Sequence, residues 1–130
     1  MTLGSTSSPP NDAVSFHLFE VLLDASADAH PGSKRFYNEL IEAGLLHAQK
    51  QRDYGKPNDP FANVRSSEEW GIPGWVGAMV RLNDKVKRLQ SLARTGGLAN
   101  ESAIDSFRDI CVYALIALVL YGEQEADASA

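Results

Sequence analysis

The sequence predicts an all-α protein, folded as a four-helix bundle with a long ordered loop between helices two and three. Three observations support this prediction. Apolar residues recur every three or four positions in four separate stretches, as they do on one face of a helix. No stretch shows the strict alternation of apolar and polar residues that is typical of a strand. Glycine, proline and small polar residues separate the stretches, where helices end and begin.

Length and composition limit the classes of protein to consider. The chain has 130 residues and a formal net charge of −5. This length fits one domain, placed at residues 12–123, after a disordered lead of residues 1–11 and before a polar tail of residues 124–130. The acidic balance does not favour binding to duplex nucleic acid. The only cysteine, Cys111, lies in the most apolar stretch and is predicted to be a small core residue.

Neither the start of the chain nor its most apolar run indicates a membrane protein. The first residues lack the basic and then apolar pattern of a signal peptide. The apolar run at residues 110–121 is shorter than the about 20 residues that a spanning helix needs. We therefore expect a cytoplasmic protein without a membrane partner, located in the host cytoplasm if it is viral.

The first two helices are predicted from their apolar stripes and from the turn between them. The first covers about residues 12–27, and a turn follows at residues 30–32, where the sequence is His-Pro-Gly. Ser33 is expected to cap the second helix, which covers about residues 34–54. The residues predicted to face inward on the second helix are Phe36, Tyr37, Leu40, Ile41, Gly44 and Ala48.

A long segment without periodicity, residues 56–74, follows the second helix. It is too rich in proline and glycine for a strand, yet it carries Phe61 and Trp70. Structureless loops of this length inside a compact domain are usually functional or disordered. The aromatic residues favour a packed loop that covers a site, and the alternative is a loop that closes one end of the bundle.

The third helix is predicted to begin at Trp75 and to end at residues 95–97, where the sequence is Thr-Gly-Gly. Its apolar residues are spaced by four and three positions, which is typical of a bundle. They are Trp75, Met79, Leu82, Val86, Leu89 and Ala93.

Another face of the third helix carries charge. Arg81, Asp84 and Arg88 share that face, and Lys85 lies on its flank. Three cations around one acid indicate either a cradle for phosphate and metal or a charged face in solvent.

The fourth helix is predicted to begin after Asn100, which is a suitable cap. Glu101, Asp105 and Asp109 are spaced i, i+4 and i+8, so they form one stripe that continues into the apolar residues 110–121. Buried carboxylates are costly unless they are paired or bound to a metal, and Mg²⁺ prefers oxygen ligands. The alternative is that the acids only oppose the positive end of the helix dipole.

Helices three and four are joined by a short connection, which predicts that they are antiparallel neighbours. Lys85 and Arg88 would then face Glu101, Asp105 and Asp109. Carboxylates for a cation beside bases for phosphates suit a nucleotide held through Mg²⁺, since the ion bridges both kinds of oxygen.

Several segments resemble a known family. They are residues 50–55 (Lys-Gln-Arg-Asp-Tyr-Gly), residues 81–88 (Arg-Leu-Asn-Asp-Lys-Val-Lys-Arg), Glu101 with Asp105, Asp109 and Tyr113, and the loop residues 59–65 and 70–71. In this order they resemble the phage and bacterial nucleotide modification associated proteins. That group is similar to the all-α nucleoside triphosphate pyrophosphatases of the MazG and dimeric dUTPase type.

The resemblance implies a homodimer or tetramer, with a site between helices where Mg²⁺ assists cleavage of a nucleoside triphosphate to a monophosphate and pyrophosphate. The alternatives are a phage protein that sequesters a nucleotide immune signal without catalysis, or a helical interaction module. On the pyrophosphatase hypothesis, Mg²⁺ is bound by Asp84 together with the catalytic residues Glu101, Asp105 and Asp109. The phosphates are bound by Arg81, Lys85 and Arg88. The site is closed by Asp53 and Tyr54, and the base is covered by Phe61 and Trp70.

Overall fold

A computed structural model of the chain describes residues 20–22, 24–25, 30–54, 59–97 and 102–129, and the side chains of all of these except Asp53 and Tyr54. The regular structure of these residues is helical and contains no β-strand, which confirms the all-α class. Residues 20–22 and 24–25 are helical and fall in the first predicted helix. The other elements are α1 at Pro31–Tyr54, a 3₁₀ helix at Arg65–Trp70, α2 at Gly74–Thr95 and α3 at Ala103–Ser129.

The chain divides into two compact units, Met1–Ile41 and Glu42–Ala130. The site described below lies entirely within the second unit. The predicted lead at residues 1–11 lies outside the described residues, and the single domain at residues 12–123 stays a prediction. The predicted tail is helical as far as the structure describes it, because α3 continues to Ser129.

His30 begins α1, and the prediction that Ser33 is its cap is wrong. The backbone N–H of Gly32 donates to His30 Nδ1 at 3.0 Å, and the N–H of Lys34 donates to the His30 carbonyl oxygen at 3.0 Å. Pro31 is the first helical residue. Proline is suited to that position because its φ is already helical and its missing N–H has no helical partner there.

The inward face of α1 also differs from the prediction. Phe36, Ile41 and Gly44 are exposed, whereas Ala43 is buried and Leu46 packs against the core. The helix carries apolar residues on more than one side, so its periodicity does not define a single inward stripe.

Helices α2 and α3 are antiparallel neighbours, as predicted. A Cβ added at Gly74 would lie 3.3 Å from Leu120 Cδ1, and Lys85 binds Asp109. Residue numbers therefore rise along α2 as they fall along α3. The buried apolar core consists of Ala43, Val64, Ala78, Val112, Ile116, Ala117 and Leu120. The complete four-helix bundle stays a prediction.

Caps fix the connection between these two helices. Gly96 ends α2 with a φ of 77°, and its N–H donates to the Leu92 carbonyl oxygen at 2.7 Å. This confirms the predicted glycine end. Helix α3 begins at Ala103, where Ser102 Oγ accepts a hydrogen bond from the N–H of Asp105 at 3.0 Å. The cap is therefore Ser102, two residues later than the predicted Asn100, which lies outside the described residues.

Helix α3 is buried on one side only. Asp109, Val112 and Ile116 lie on the buried side, but Cys111 is exposed. The prediction of a core cysteine is therefore wrong. None of the helices among the described residues is long and apolar enough to cross a membrane.

The loop before α2 is ordered over its described residues, 59–73. Val64 is buried in the core, and Arg65 holds the loop to α3. Arg65 Nη2 donates to Glu123 Oε2 at 2.6 Å, and Arg65 Nε lies 2.9 Å from Asp59 Oδ2. The hydrogen bond with Glu123, aided by the one with Asp59, raises the pKa of Arg65 above its ordinary value despite partial burial. These contacts confirm the prediction that the loop is packed against the rest of the fold.

Gly77 is required where α2 passes this loop. An alanine Cβ there would lie 2.6 Å from Ser67 Oγ and 3.1 Å from the Val64 carbonyl oxygen. Ser67 cannot easily yield because its hydroxyl donates to the Ile72 carbonyl oxygen at 3.1 Å. We expect Gly77→Ala to lower the free energy of unfolding by about 1–2 kcal/mol, measured by urea denaturation.

Gly44→Ala is the matched control for this substitution. It also replaces a helical glycine, but nothing lies within 4 Å of the added Cβ. We expect it to stabilise the protein by about 0.5–1 kcal/mol, because alanine favours the helix. An equal effect of both substitutions would show that the loop does not press on Gly77.

Candidate functional site

The centre of the candidate site is a buried carboxylate between two lysines. Asp109 on α3 is only 5% exposed. Lys50 Nζ on α1 lies 2.9 Å from Asp109 Oδ1, and Lys85 Nζ on α2 lies 3.0 Å from Asp109 Oδ2. Each carboxylate oxygen therefore binds one ammonium group, and each of the three helices contributes one residue.

The two lysines keep Asp109 ionised. Burial by itself raises the pKa of Asp109, because it disfavours the charged form. Hydrogen bonds from Lys50 and Lys85, with the attraction of their charges, outweigh burial and lower the pKa below its ordinary value. At neutral pH the one negative charge of Asp109 therefore lies between the two positive charges of Lys50 and Lys85.

A cavity of about 460 Å³ opens beside this cluster. Its polar lining comes from α1, the loop, α2 and α3, while Val64, Val112 and Ile116 supply apolar surface. No acidic residue lines the cavity among the described residues. The polar and aromatic lining residues are His47, Lys50, Gln51, Asn63, Arg81 and Tyr113.

Aromatic contacts hold this lining in place. The His47 ring stacks on Phe61, with centroids 5.7 Å apart and an angle of 27° between the planes. Lys50 Nζ lies 5.9 Å from the centroid of the Tyr113 ring, within the range of a cation–π interaction. Lys50 therefore has both Asp109 and Tyr113 to fix its position at the edge of the cavity.

The predicted acidic stripe is only partly turned inward. Asp109 is buried, but Asp105, one turn earlier, is exposed, and Asp84 on α2 is exposed as well. Glu101 lies outside the described residues. Asp105 lies in the first turn of α3, where an exposed acid interacts favourably with the positive end of the helix dipole.

The described residues do not fit a magnesium site. Among them, no three His, Cys, Asp or Glu side chains lie close enough together to hold a metal ion. Both oxygens of Asp109 already accept hydrogen bonds or charge contacts from lysine. The predicted Mg²⁺ ligand set of Asp84, Glu101, Asp105 and Asp109 is therefore not assembled by the part of the chain that the structure describes.

The predicted phosphate-binding cations occupy different places. Arg81 lines the cavity, whereas Lys85 binds Asp109 and is not among the lining residues. Arg88 is exposed and lies outside the cavity lining.

Of the two residues predicted to cover the base, only Phe61 lies near the cavity. Phe61 supports the cavity through His47. Trp70 is 84% exposed and does not line the cavity. The side chains of Asp53 and Tyr54 lie outside the described part of the structure.

The predicted site did not include Lys50, His47, Gln51, Asn63 or Tyr113. A signal was present for Lys50, because it follows Ala43 and Leu46 at helical spacings of three and four residues. Lys50, Gln51 and Tyr113 also belong to the segments that carry the family resemblance. A lysine on the buried side of a helix indicates an acidic partner on another element. Here that partner is Asp109 on α3.

Comparison with protein-family models, with curated proteins and with solved structures finds no match to this chain. The resemblance to the nucleotide modification associated proteins therefore stays a prediction.

Proposed function

We propose that this protein binds a nucleotide and holds its phosphates with Lys50 and Arg81. The observation that supports the proposal is a cavity of about 460 Å³ with two cations and no acid in its described lining. The volume falls within the range of about 300–1,000 Å³ that is typical of small-molecule sites.

The two cations suit phosphate in different ways. Lysine has three N–H donors, and Asp109 accepts a hydrogen bond from the Lys50 ammonium group, so further donors remain for a ligand. Arg81 pairs with no carboxylate among the described residues, and its guanidinium group can donate two parallel hydrogen bonds to phosphate oxygens. Asp109 does not use up the donors of Lys50, since it also accepts a contact from Lys85 through its other oxygen.

The remaining lining residues suit the rest of a nucleotide. Gln51 and Asn63 each offer an amide that can both donate and accept hydrogen bonds, as the edge of a base requires. Tyr113 adds an aromatic ring, and Val112 and Ile116 add apolar surface. Base-sized rings stack on aromatic side chains with about 1–3 kcal/mol per base.

The proposed activity is binding without hydrolysis, in which the protein sequesters its ligand. The described residues provide one buried carboxylate at the site, and it is bound to two lysines. We therefore derive no hydrolytic step. The Mg²⁺-dependent pyrophosphohydrolase implied by the family resemblance is the alternative proposal, and the helical interaction module is the third.

We expect nucleoside mono-, di- or triphosphates to raise the melting temperature of the protein in EDTA as well as in Mg²⁺. A ligand at 100 times its dissociation constant should add about 2.7 kcal/mol to the free energy of unfolding. Isothermal titration calorimetry gives the affinity in both buffers, and chromatography of the recovered ligand shows whether it is intact.

Each outcome of this screen separates the alternatives. Equal affinity in both buffers with intact ligand supports sequestration. Release of a nucleoside monophosphate and pyrophosphate in Mg²⁺ alone would support the pyrophosphohydrolase instead. If no nucleotide binds in either buffer, the proposed function is wrong and the interaction module gains support.

A further inference from the structure

A second cavity, of about 320 Å³, lies between the loop before α2 and the C-terminal part of α3. All of its lining residues belong to the second compact unit, and none of them lines the cavity proposed for the nucleotide. Its volume lies near the lower end of the range of about 300–1,000 Å³ that is typical of small-molecule sites. Nucleotide binding therefore does not account for this cavity.

The lining of the second cavity is acidic. It contains the carboxylates of Glu68, Glu123 and Asp127 and one guanidinium group, that of Arg65. Arg65 is already bound by two acids, with Glu123 Oε2 at 2.6 Å from Nη2 and Asp59 Oδ2 at 2.9 Å from Nε. Three negative charges and one positive charge leave the lining with two negative charges in excess.

Apolar and aromatic surface forms the rest of the lining. It comes mainly from Ile72, Pro73, Trp75 and Leu120. An edge-to-face contact with Tyr121 holds the Trp75 ring, with centroids 5.6 Å apart and 86° between the planes. An indole ring attracts an ammonium group to its face and offers a large apolar surface to an alkyl chain. This surface favours an organic cation over a hydrated inorganic ion.

Backbone hydrogen bonds hold the loop wall of the second cavity. The N–H of Gly71 donates to the Glu68 carbonyl oxygen at 3.0 Å, and the N–H of Ile72 donates to the Ser67 carbonyl oxygen at 3.1 Å. Gly71 has a φ of 75°, which glycine adopts without strain. A wall that is already ordered reduces the entropy that is lost when a ligand binds.

The carboxylates of the second cavity do not converge on one point. Nowhere in the described ranges do three His, Cys, Asp or Glu side chains come close enough together to hold a metal ion. Acids that are spread around a cavity suit a ligand whose positive charges are also separated from each other.

We propose that the second cavity binds an aliphatic diamine, which is an alkyl chain with an ammonium group at each end. Such amines are protonated at neutral pH, as the lysine side chain is. Their two positive charges match the two excess negative charges of the lining, and the alkyl chain matches the apolar surface of Trp75 and Leu120. The diamine site is independent of the proposed nucleotide site, because the two cavities share no lining residue.

Isothermal titration calorimetry at low salt, without nucleotide, tests this proposal with three probes. The first is 1,5-diaminopentane, the second is pentylamine, which has the same alkyl chain with one charge, and the third is Mg²⁺, which has two charges without an alkyl chain. We expect the diamine to bind at least about tenfold more tightly than either of the others, because it alone supplies both charges and the chain. Equal affinity for the diamine and for pentylamine or Mg²⁺ would overturn the proposal, and so would undetectable binding of the diamine.

The double variant Glu68→Gln/Asp127→Asn locates the bound diamine. It removes both excess charges but keeps the ion pair between Arg65 and Glu123 that holds the loop to α3. We expect its affinity for 1,5-diaminopentane to fall at least about tenfold. An unchanged far-ultraviolet circular dichroism spectrum would show that the helices are intact.

Glu69→Gln/Glu125→Gln is the matched control for this double variant. It removes two charges from the same 3₁₀ helix and the same helix α3, at exposed positions outside the cavity lining. The control should retain the wild-type affinity within about twofold, since the replaced charges face solvent and are screened. Equal losses in the two double variants would mean that the diamine responds only to the overall negative charge, which contradicts the proposal.

The fluorescence of Trp75 provides a second measurement. Trp70→Phe leaves Trp75 as the only tryptophan, and Trp70 is 84% exposed and outside the lining. We expect 1,5-diaminopentane to change the emission of this variant with the dissociation constant that calorimetry gives. Unchanged emission at a saturating concentration would show that the diamine binds elsewhere and would overturn the proposal.

Discussion

Replacing Asp109 with asparagine is expected to lower the free energy of unfolding by about 2 kcal/mol at pH 7. The asparagine keeps the shape of the side chain but removes the charge that Lys50 and Lys85 bind at 2.9 and 3.0 Å. Lys85 is largely buried, with 19% of its side chain exposed, so water can replace its lost contact with the Asp109 carboxylate only in part. Lys50 is more exposed and can turn towards water, which keeps the loss below that of a fully buried pair. Urea denaturation followed by circular dichroism measures the difference.

The difference between the two proteins should depend on pH. The pKa of Asp109 is lowered in the folded protein, so its contribution to stability is complete above the ordinary unfolded value of about 3.9. This contribution is lost as the pH falls through the lower, folded value. We therefore expect a constant difference from pH 7 down to about 5 and a progressively smaller one in more acidic solution.

Asp105→Asn is the matched control for Asp109→Asn. It removes the same charge from the same helix, one turn earlier, where the side chain is exposed. We expect a change within about 0.5 kcal/mol at pH 7. Equal losses in the two variants would mean that the Asp109 cluster contributes no more than a surface charge does.

The helices were predictable because their signals are local. The three- and four-residue spacing of apolar positions gave α2 and α3, and Gly96 ended α2 where its left-handed backbone is needed. The short connection between these helices implied that they are antiparallel. The start of α1 was less predictable, because His30 accepts the first N–H groups through both its ring and its carbonyl oxygen. Histidine is not among the usual capping residues.

The acidic side of the site was partly predictable. Helical spacing placed Asp109 on the stripe that enters the core, and the structure buries it between basic neighbours. The same spacing could not show that the stripe leaves the core one turn earlier, at Asp105. The point at which the stripe leaves the core depends on where α1 contacts α3. The sequence of α3 alone does not indicate that position.

Lys50 and Cys111 show why the rest could not be predicted. A lysine has a long side chain that reaches either water or a buried acid, so its position in the sequence does not reveal its partner 59 residues away. Cys111 lies in a helix that is apolar on every side. Such a pattern is equally consistent with a helix buried on every side and with one buried on one side only, and the exposed Cys111 shows the latter.

Replacing Arg81 with alanine is expected to weaken nucleotide binding about tenfold, a loss of about 1.4 kcal/mol. Arg81 lines the cavity without a carboxylate partner among the described residues, so its guanidinium group is available to phosphate. It is also exposed, and its removal should leave the stability of the free protein nearly unchanged. Arg81→Lys should restore part of the affinity, because lysine keeps the charge but not the two parallel donors. Calorimetry in EDTA measures all three proteins.

Arg88→Ala is the matched control for Arg81→Ala. It removes the same charge from the same helix two turns later, outside the cavity lining. If the cavity holds the phosphates, Arg88→Ala should retain affinity within about twofold at moderate salt, since exposed charges beyond about 10 Å are screened. Equal losses in the two variants would show that the ligand responds only to the overall positive charge of α2. A loss confined to Arg81→Ala would instead locate the phosphates beside Lys50, where Asp109 and Tyr113 already hold a second cation in position.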